Sequence, residues 1–206
     1  MSQYNLKTGD LLLFDYQKKG GLFSFFTSAI KYFTGSKYSH IGMVLKDPTF
    51  IDRKLKGYYV WESSWEGKAD PQDGKIKLGV QITPFEEIYA AYKNDNSSIF
   101  VRRVSENAET LLTPDNLRKV HEVVYFKPYD IVPEDWIEAA FKKDSHPQKT
   151  DRFWCAALVG YIYTKAGVLK ESTDWSILRP CDLSLDGENV NFNKGVSLSN
   201  TETKLF

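Results

Sequence analysis

Phe153-Trp154-Cys155-Ala156-Ala157-Leu158-Val159-Gly160 places a cysteine at the start of a segment that reads as a buried helix. The first turn of a helix leaves backbone N–H groups unpaired and carries the positive end of the helix dipole. A thiolate is stabilised there, which makes a nucleophile of a resting thiol. The other reading of Cys155 is core filling, since free cysteine is among the most buried residue types and this helix is strongly apolar. A nucleophile needs a base, and the chain holds three histidines. His40, in Ser39-His40-Ile41-Gly42-Met43-Val44, sits on a strand, and a rigid element suits a base that must reach a thiol. Its alternative is an ordinary histidine near a strand end. His121 lies inside a helix between Val120 and Glu122, and His146 precedes Pro147 in a charged loop, so both read as partly or fully solvated.

A third group should hold the imidazole in its working tautomer. Glu62, in Val60-Trp61-Glu62-Ser63-Ser64, takes that role if its strand returns antiparallel to the His40 strand with the two side chains across from each other. A strand glutamate is ordinarily exposed. Amid Tyr58, Tyr59, Val60 and Trp61, however, its charge needs a partner. Ser63 and Glu66 are the substitutes.

These residues need elements to carry them. Asp10 to Phe14, Ser39 to Leu45, Tyr58 to Ser63, Val80 to Ile82 and Ser98 to Val104 read as strands. Apolar residues at helical spacing mark a helix over Leu22–Phe33, and Thr83-Pro84-Phe85-Glu86 opens another through Tyr92. Thr113-Pro114 starts a helix with Leu117, Val120 and Val124 on one face, and a short helix spans Glu134–Phe141. Thr150 or Asp151 caps the Cys155 helix, which stops at Gly167. Residues 66–78 read as a solvent loop, and the Asn-, Ser- and Lys-rich stretch from about 187 as an extended or mobile tail. Strands first and helices later make an α+β domain spanning 1–206.

Composition narrows the function classes. Lys+Arg and Asp+Glu are both 27, so the basic excess of a nucleic-acid binder is missing. Two cysteines, Cys155 and Cys181, do not make a disulfide framework at this size, and they favour a reducing, cytoplasmic setting. Cys181, in Arg179-Pro180-Cys181-Asp182, reads as a loop cysteine. Met1-Ser2-Gln3-Tyr4-Asn5 lacks the order of a signal peptide, and no apolar run is long enough to span a bilayer. The chain has no Cys-x-x-Cys, no His pair at i, i+4, no phosphate-binding glycine loop and no serine elbow, so neither metal nor cofactor is expected. Lys18, Lys19 and Lys31 flank the aromatic-rich helix at 22–33, which reads as core-facing, with peripheral membrane contact as the alternative.

The order Gly9-Asp10-Leu11-Leu12-Leu13-Phe14, Ser39-His40-Ile41-Gly42-Met43-Val44, Glu62, Phe153-Trp154-Cys155-Ala156-Ala157-Leu158-Val159 resembles the circularly permuted branch of the NlpC-type, papain-like cysteine hydrolases. That branch includes lipoprotein-like bacterial hydrolases, relatives of lecithin retinol acyltransferase and proteins of large eukaryotic DNA viruses. The resemblance covers roughly residues 7–185, with histidine before cysteine as in the permuted order. It implies a small antiparallel sheet packed on helices. Cys155 would be nucleophile, His40 general base and then acid, and Glu62 the orienting group, with the Cys155 backbone N–H in the oxyanion hole. The third member varies in residue type across this superfamily. The implied reaction is hydrolysis of a peptide, isopeptide or ester bond through a thioester. The competing readings are a lipid acyltransferase or phospholipase on the same fold, and a catalytically silent binding or virion scaffold.

Overall fold

The computed structural model describes residues 4–17, 36–131, 149–187 and 190–206. The helices expected over Leu22–Phe33 and Glu134–Phe141, and His146, lie outside these residues. The five expected strands form with ends shifted by a residue or two: β1 Leu11–Asp15, β2 His40–Lys46, β3 Tyr58–Ser64, β4 Gly79–Pro84 and β5 Ser98–Val104. With β6 (Leu198–Lys204) they make one antiparallel sheet in the order β4-β3-β2-β1-β5-β6. Among the described residues, four helices complete an α+β architecture: α1 Phe85–Asn94, α2 Glu106–Leu111, α3 Pro114–Val124 and α4 Cys155–Lys165, with a 3-10 turn at Pro180–Leu183.

Strand alternation sorts the apolar side chains onto two faces. Leu11, Leu13, Ile41, Met43, Trp61 and Ile82 join the core built against α3 and α4, where the expected Leu117, Val120 and Val124 are buried. Leu12, Phe14, Val44, Val60 and Val101 face the other way and are covered by Phe85 and Ile88 of α1. Helix α4 is buried from Cys155 through Thr164, so it is held by packing all round rather than by an amphipathic stripe. It ends where expected, with Gly167 at φ +83° supplying the left-handed turn.

Three features that the sequence reading did not contain have local causes. Helix α4 is not capped by Thr150 or Asp151. Its N-cap is Trp154, with no side-chain cap. Phe153 is kept extended by backbone hydrogen bonds, N–H to the Pro128 carbonyl (3.1 Å) and carbonyl from the Asp130 N–H (3.2 Å), so the helix cannot begin earlier. The 66–78 segment is a largely exposed loop, as expected, but it has an internal anchor. It folds around the buried Asp70 carboxylate, which pairs with Lys77 (2.8 Å) and accepts from the Gln72 N–H (3.0 Å). Gln72 in turn meets His121 of α3 at 2.7 Å, and burial lowers the pKa of that imidazole. Finally, residues 198–204 of the tail form β6, held on the edge by ladder bonds to β5 and by Tyr38 donating to Glu202.

The β4 edge is closed by the chain that leads toward the cysteine helix. Val80 N–H donates to the Lys127 carbonyl (2.9 Å), Tyr129 N–H to the Leu78 carbonyl (3.2 Å), and Gly79 bridges Pro128. At Gly79, φ is +146° and a Cβ would stand 2.3 Å from the Lys127 oxygen and 2.8 Å from Pro128 Cα. Both neighbours are backbone, so they cannot swing aside. Gly79→Ala is expected to destabilise the fold by about 2–4 kcal/mol in a urea titration. A midpoint equal to that of the parent chain would contradict this account of the edge.

Candidate active site

The site is built at one end of the sheet, where β2 begins, β3 ends and α4 starts. His40 is the first residue of β2, and Glu62 lies near the end of its antiparallel neighbour β3. Both have the parity of Val44 and Val60, so their side chains lie on the α1 face, while Ser63 points to the α4 face. The two faces then share the work. His40 Nε2–H donates to Glu62 Oε2 at 2.7 Å on one side. On the other, the Ser63 hydroxyl donates to the Phe153 carbonyl at 2.6 Å and fixes the chain leading into α4.

The sequence reading puts His40 and Glu62 across from each other, and the register corrects that. Pairing of Met43 with Trp61 carries Gly42, not His40, alongside Glu62. A Cβ on Gly42 would come within 3.4 Å of Glu62 Cβ and 2.4 Å of Val60 Cγ1. The missing side chain leaves space for Glu62 to reach His40 diagonally.

Cys155 is the first residue of α4 and 2% exposed, and its sulfur lies close enough to the His40 ring to raise the ring's pKa. Since Nε2 is committed to Glu62, Nδ1 is the nitrogen left for the sulfur. Burial pulls the His40 pKa down, but the hydrogen bonds to Cys155 and Glu62 and their charges outweigh it, holding the ring up at about 10. The imidazolium is therefore the resting form at neutral pH. No side chain caps α4, so no side-chain hydrogen bond from the N-cap takes up its first-turn amides beside the sulfur. The ring of Phe14 lies 5.1 Å from the imidazole and forms its apolar wall, with Tyr92 packed on Phe14 at 5.0 Å in a tilted arrangement.

The three residues singled out from the sequence, Cys155, His40 and Glu62, thus meet in one place. Ser63 supports the α4 approach rather than the imidazole. Glu66 is a second carboxylate beside the first. It accepts from the Ser64 hydroxyl (2.9 Å), which accepts from Gln81 Nε2 (2.9 Å). Burial and then the Glu62 charge push Glu66 up to about 7, against the pull of His40, Ser64 and Lys68.

Sequence reasoning missed three members. Thr83 Oγ1–H donates to Glu62 Oε1 at 2.6 Å. Burial, then the charges of Cys155 and Asp130, push the Tyr129 hydroxyl up, so its phenol stays neutral. Burial, then the charges of Glu66, Glu62, Tyr16 and Cys155, do the same for Tyr92. For Thr83 a signal existed: Gln81 and Thr83 alternate with Val80 and Ile82, as a strand with one polar face would. Cys181 and His121 are buried or half-buried elsewhere, His121 against Gln72 and Tyr125. Among the described residues no helix is long and apolar enough to cross a membrane. A scan of the chain against protein-family models gives no match, and a search of curated proteins gives none.

Proposed function

We propose that this chain is a cysteine hydrolase that cleaves an amide (peptide or isopeptide) or ester bond through a thioester, on a permuted papain-like, NlpC-type fold. The observation that carries the reading is the His40 ring, bound to Glu62 at Nε2 and raised in pKa by the sulfur of a helix-start cysteine. A nucleophile, a base and an orienting carboxylate in one buried contact are what acyl transfer requires.

The steps follow from the positions. With the proton already on His40 at rest, the Cys155 sulfur attacks the acyl carbon as the thiolate, forming the S–C bond. The carbonyl oxygen gains the charge and takes hydrogen bonds from the Cys155 backbone N–H at the α4 terminus. His40 then gives its proton to the leaving nitrogen or oxygen as the C–N or C–O bond breaks, leaving a thioester. Water enters, His40 takes its proton, the hydroxide adds, and the acid departs as the C–S bond breaks, which restores the thiolate beside the protonated ring. Glu62 keeps the charged ring in register throughout. An acceptor alcohol or amine in place of water would make the same site a transferase.

The test is a panel of fluorogenic peptide amides, isopeptides and glycerolipid esters, run while iodoacetamide is titrated in and alkylation is mapped by peptide mass. At least one substrate class is expected to turn over, with activity falling in one-to-one proportion to modified Cys155. Activity that persists after complete alkylation of Cys155 would contradict the proposal.

A further inference from the structure

Glu62 can orient His40 only if its own carboxylate is held. The terminal torsion of a glutamate is broad and roughly two-fold, so one hydrogen bond leaves the plane free to rock. Here both oxygens are assigned. Oε2 accepts from His40 and Oε1 accepts from Thr83 Oγ1 at 2.6 Å, with Glu62 1% exposed at its side chain and Thr83 buried. Two donors on opposite oxygens define the plane.

The strand pairing explains why Thr83 reaches it. On β4, Gln81 stands opposite Glu62 and Thr83 opposite Val60, so Thr83 lies one diagonal step from Glu62 on the same face. Gln81 serves the other carboxylate through Ser64 and Glu66. Two adjacent polar positions of β4 therefore address the two carboxylates separately, each presenting an O–H or N–H. Thr83 is buried at the end of β4, just before the turn into α1. A buried hydroxyl at that place has one described use.

We propose that Thr83 is a positioning residue: its hydroxyl fixes the Glu62 carboxylate plane and, through it, the His40 ring that serves Cys155. This rests on the cysteine hydrolase reading for its consequence in turnover, but the positioning itself is measurable in the resting protein. Thr83 is buried and its hydroxyl is spent on Glu62, so its loss should act on the chemical step and not on substrate affinity.

The experiment compares Thr83→Val and Thr83→Ser with the parent chain by proton NMR and by steady-state kinetics on the best substrate of the panel. The His40 Nε2–H proton shared with Glu62 should give a downfield resonance in the parent protein. Thr83→Val is expected to broaden or lose it and to lower kcat by roughly 10- to 100-fold with KM nearly unchanged, the loss expected for one hydrogen bond to a charged group. Thr83→Ser keeps the hydroxyl and should restore both. An unchanged resonance and kcat in Thr83→Val would overturn the proposal, as would a Thr83→Ser chain that behaves like the valine variant. If the resonance responds as described while the parent chain turns over nothing, the positioning role stands and the hydrolase reading falls.

Discussion

Cys155→Ala is expected to reduce turnover by on the order of 10⁴–10⁶-fold, leaving only what binding and the α4 amides contribute. The size follows from what is removed. The sulfur is the atom that bonds to the acyl carbon, and no other described nucleophile shares its contact with His40. His40→Ala should cost a similar amount, and the double variant scarcely more than either alone, because the two side chains act as one unit. The fold is expected to survive Cys155→Ala, since the change trims one small buried atom from a helix packed on all sides. Rates measured alongside thermal melts check both points. Comparable turnover in a well-folded alanine variant would remove Cys155 from the chemistry.

Glu62→Gln is expected to lower kcat/KM by roughly 10²–10⁴-fold and to move the alkaline limit of activity to lower pH. The sign follows from His40. The leaving group takes its proton from the imidazolium, so activity is present while the ring is protonated and is lost as pH rises through its pKa. In the parent chain that loss is expected near pH 10, because Cys155 and Glu62 together outweigh the effect of burial. Glutamine removes the Glu62 charge and offers a weaker acceptor to Nε2–H, so the ring gives up its proton earlier. A pH–rate profile on both chains measures the shift. An unchanged alkaline limb would show that Glu62 does not govern the ring.

The parts of this site that were legible in the sequence are those with scarce chemistry. Three histidines and two cysteines leave few pairings, and only His40 and Cys155 sit on elements whose types and ends suit a base and a nucleophile. Glu62 was legible because its strand is otherwise aromatic and apolar. The sheet strands were read from apolar runs and alternation, and the five expected ones form. What escaped depends on contacts between distant segments. Thr83 read as part of a helix start because Pro84 follows it, whereas β4 continues through both before α1 begins. The diagonal reach of Glu62 depends on the register at Gly42, which pattern alone does not fix.

The same cause lies behind the fold-level differences. Residues 198–204 carry no apolar alternation, and their strand is held by backbone pairing to β5 and by Arg102, whose Nε donates to the Ser199 carbonyl at 3.0 Å. Asp70 organises 66–78 from within, and a buried carboxylate paired with Lys77 looks in sequence like any other charge in a polar stretch. The cap residue of α4 moved because Phe153 is bound to residues 128–130, a contact that local propensity does not contain.

The central claim is that Cys155 carries the acyl group during turnover. Acid-quenching the reaction in its first milliseconds and measuring intact and peptide masses tests it directly. The account predicts the mass of the acyl group on the peptide containing Cys155, removed by hydroxylamine as a thioester would be and absent from Cys155→Ala. Turnover with no acyl group on Cys155, or with it on another residue, would contradict the account.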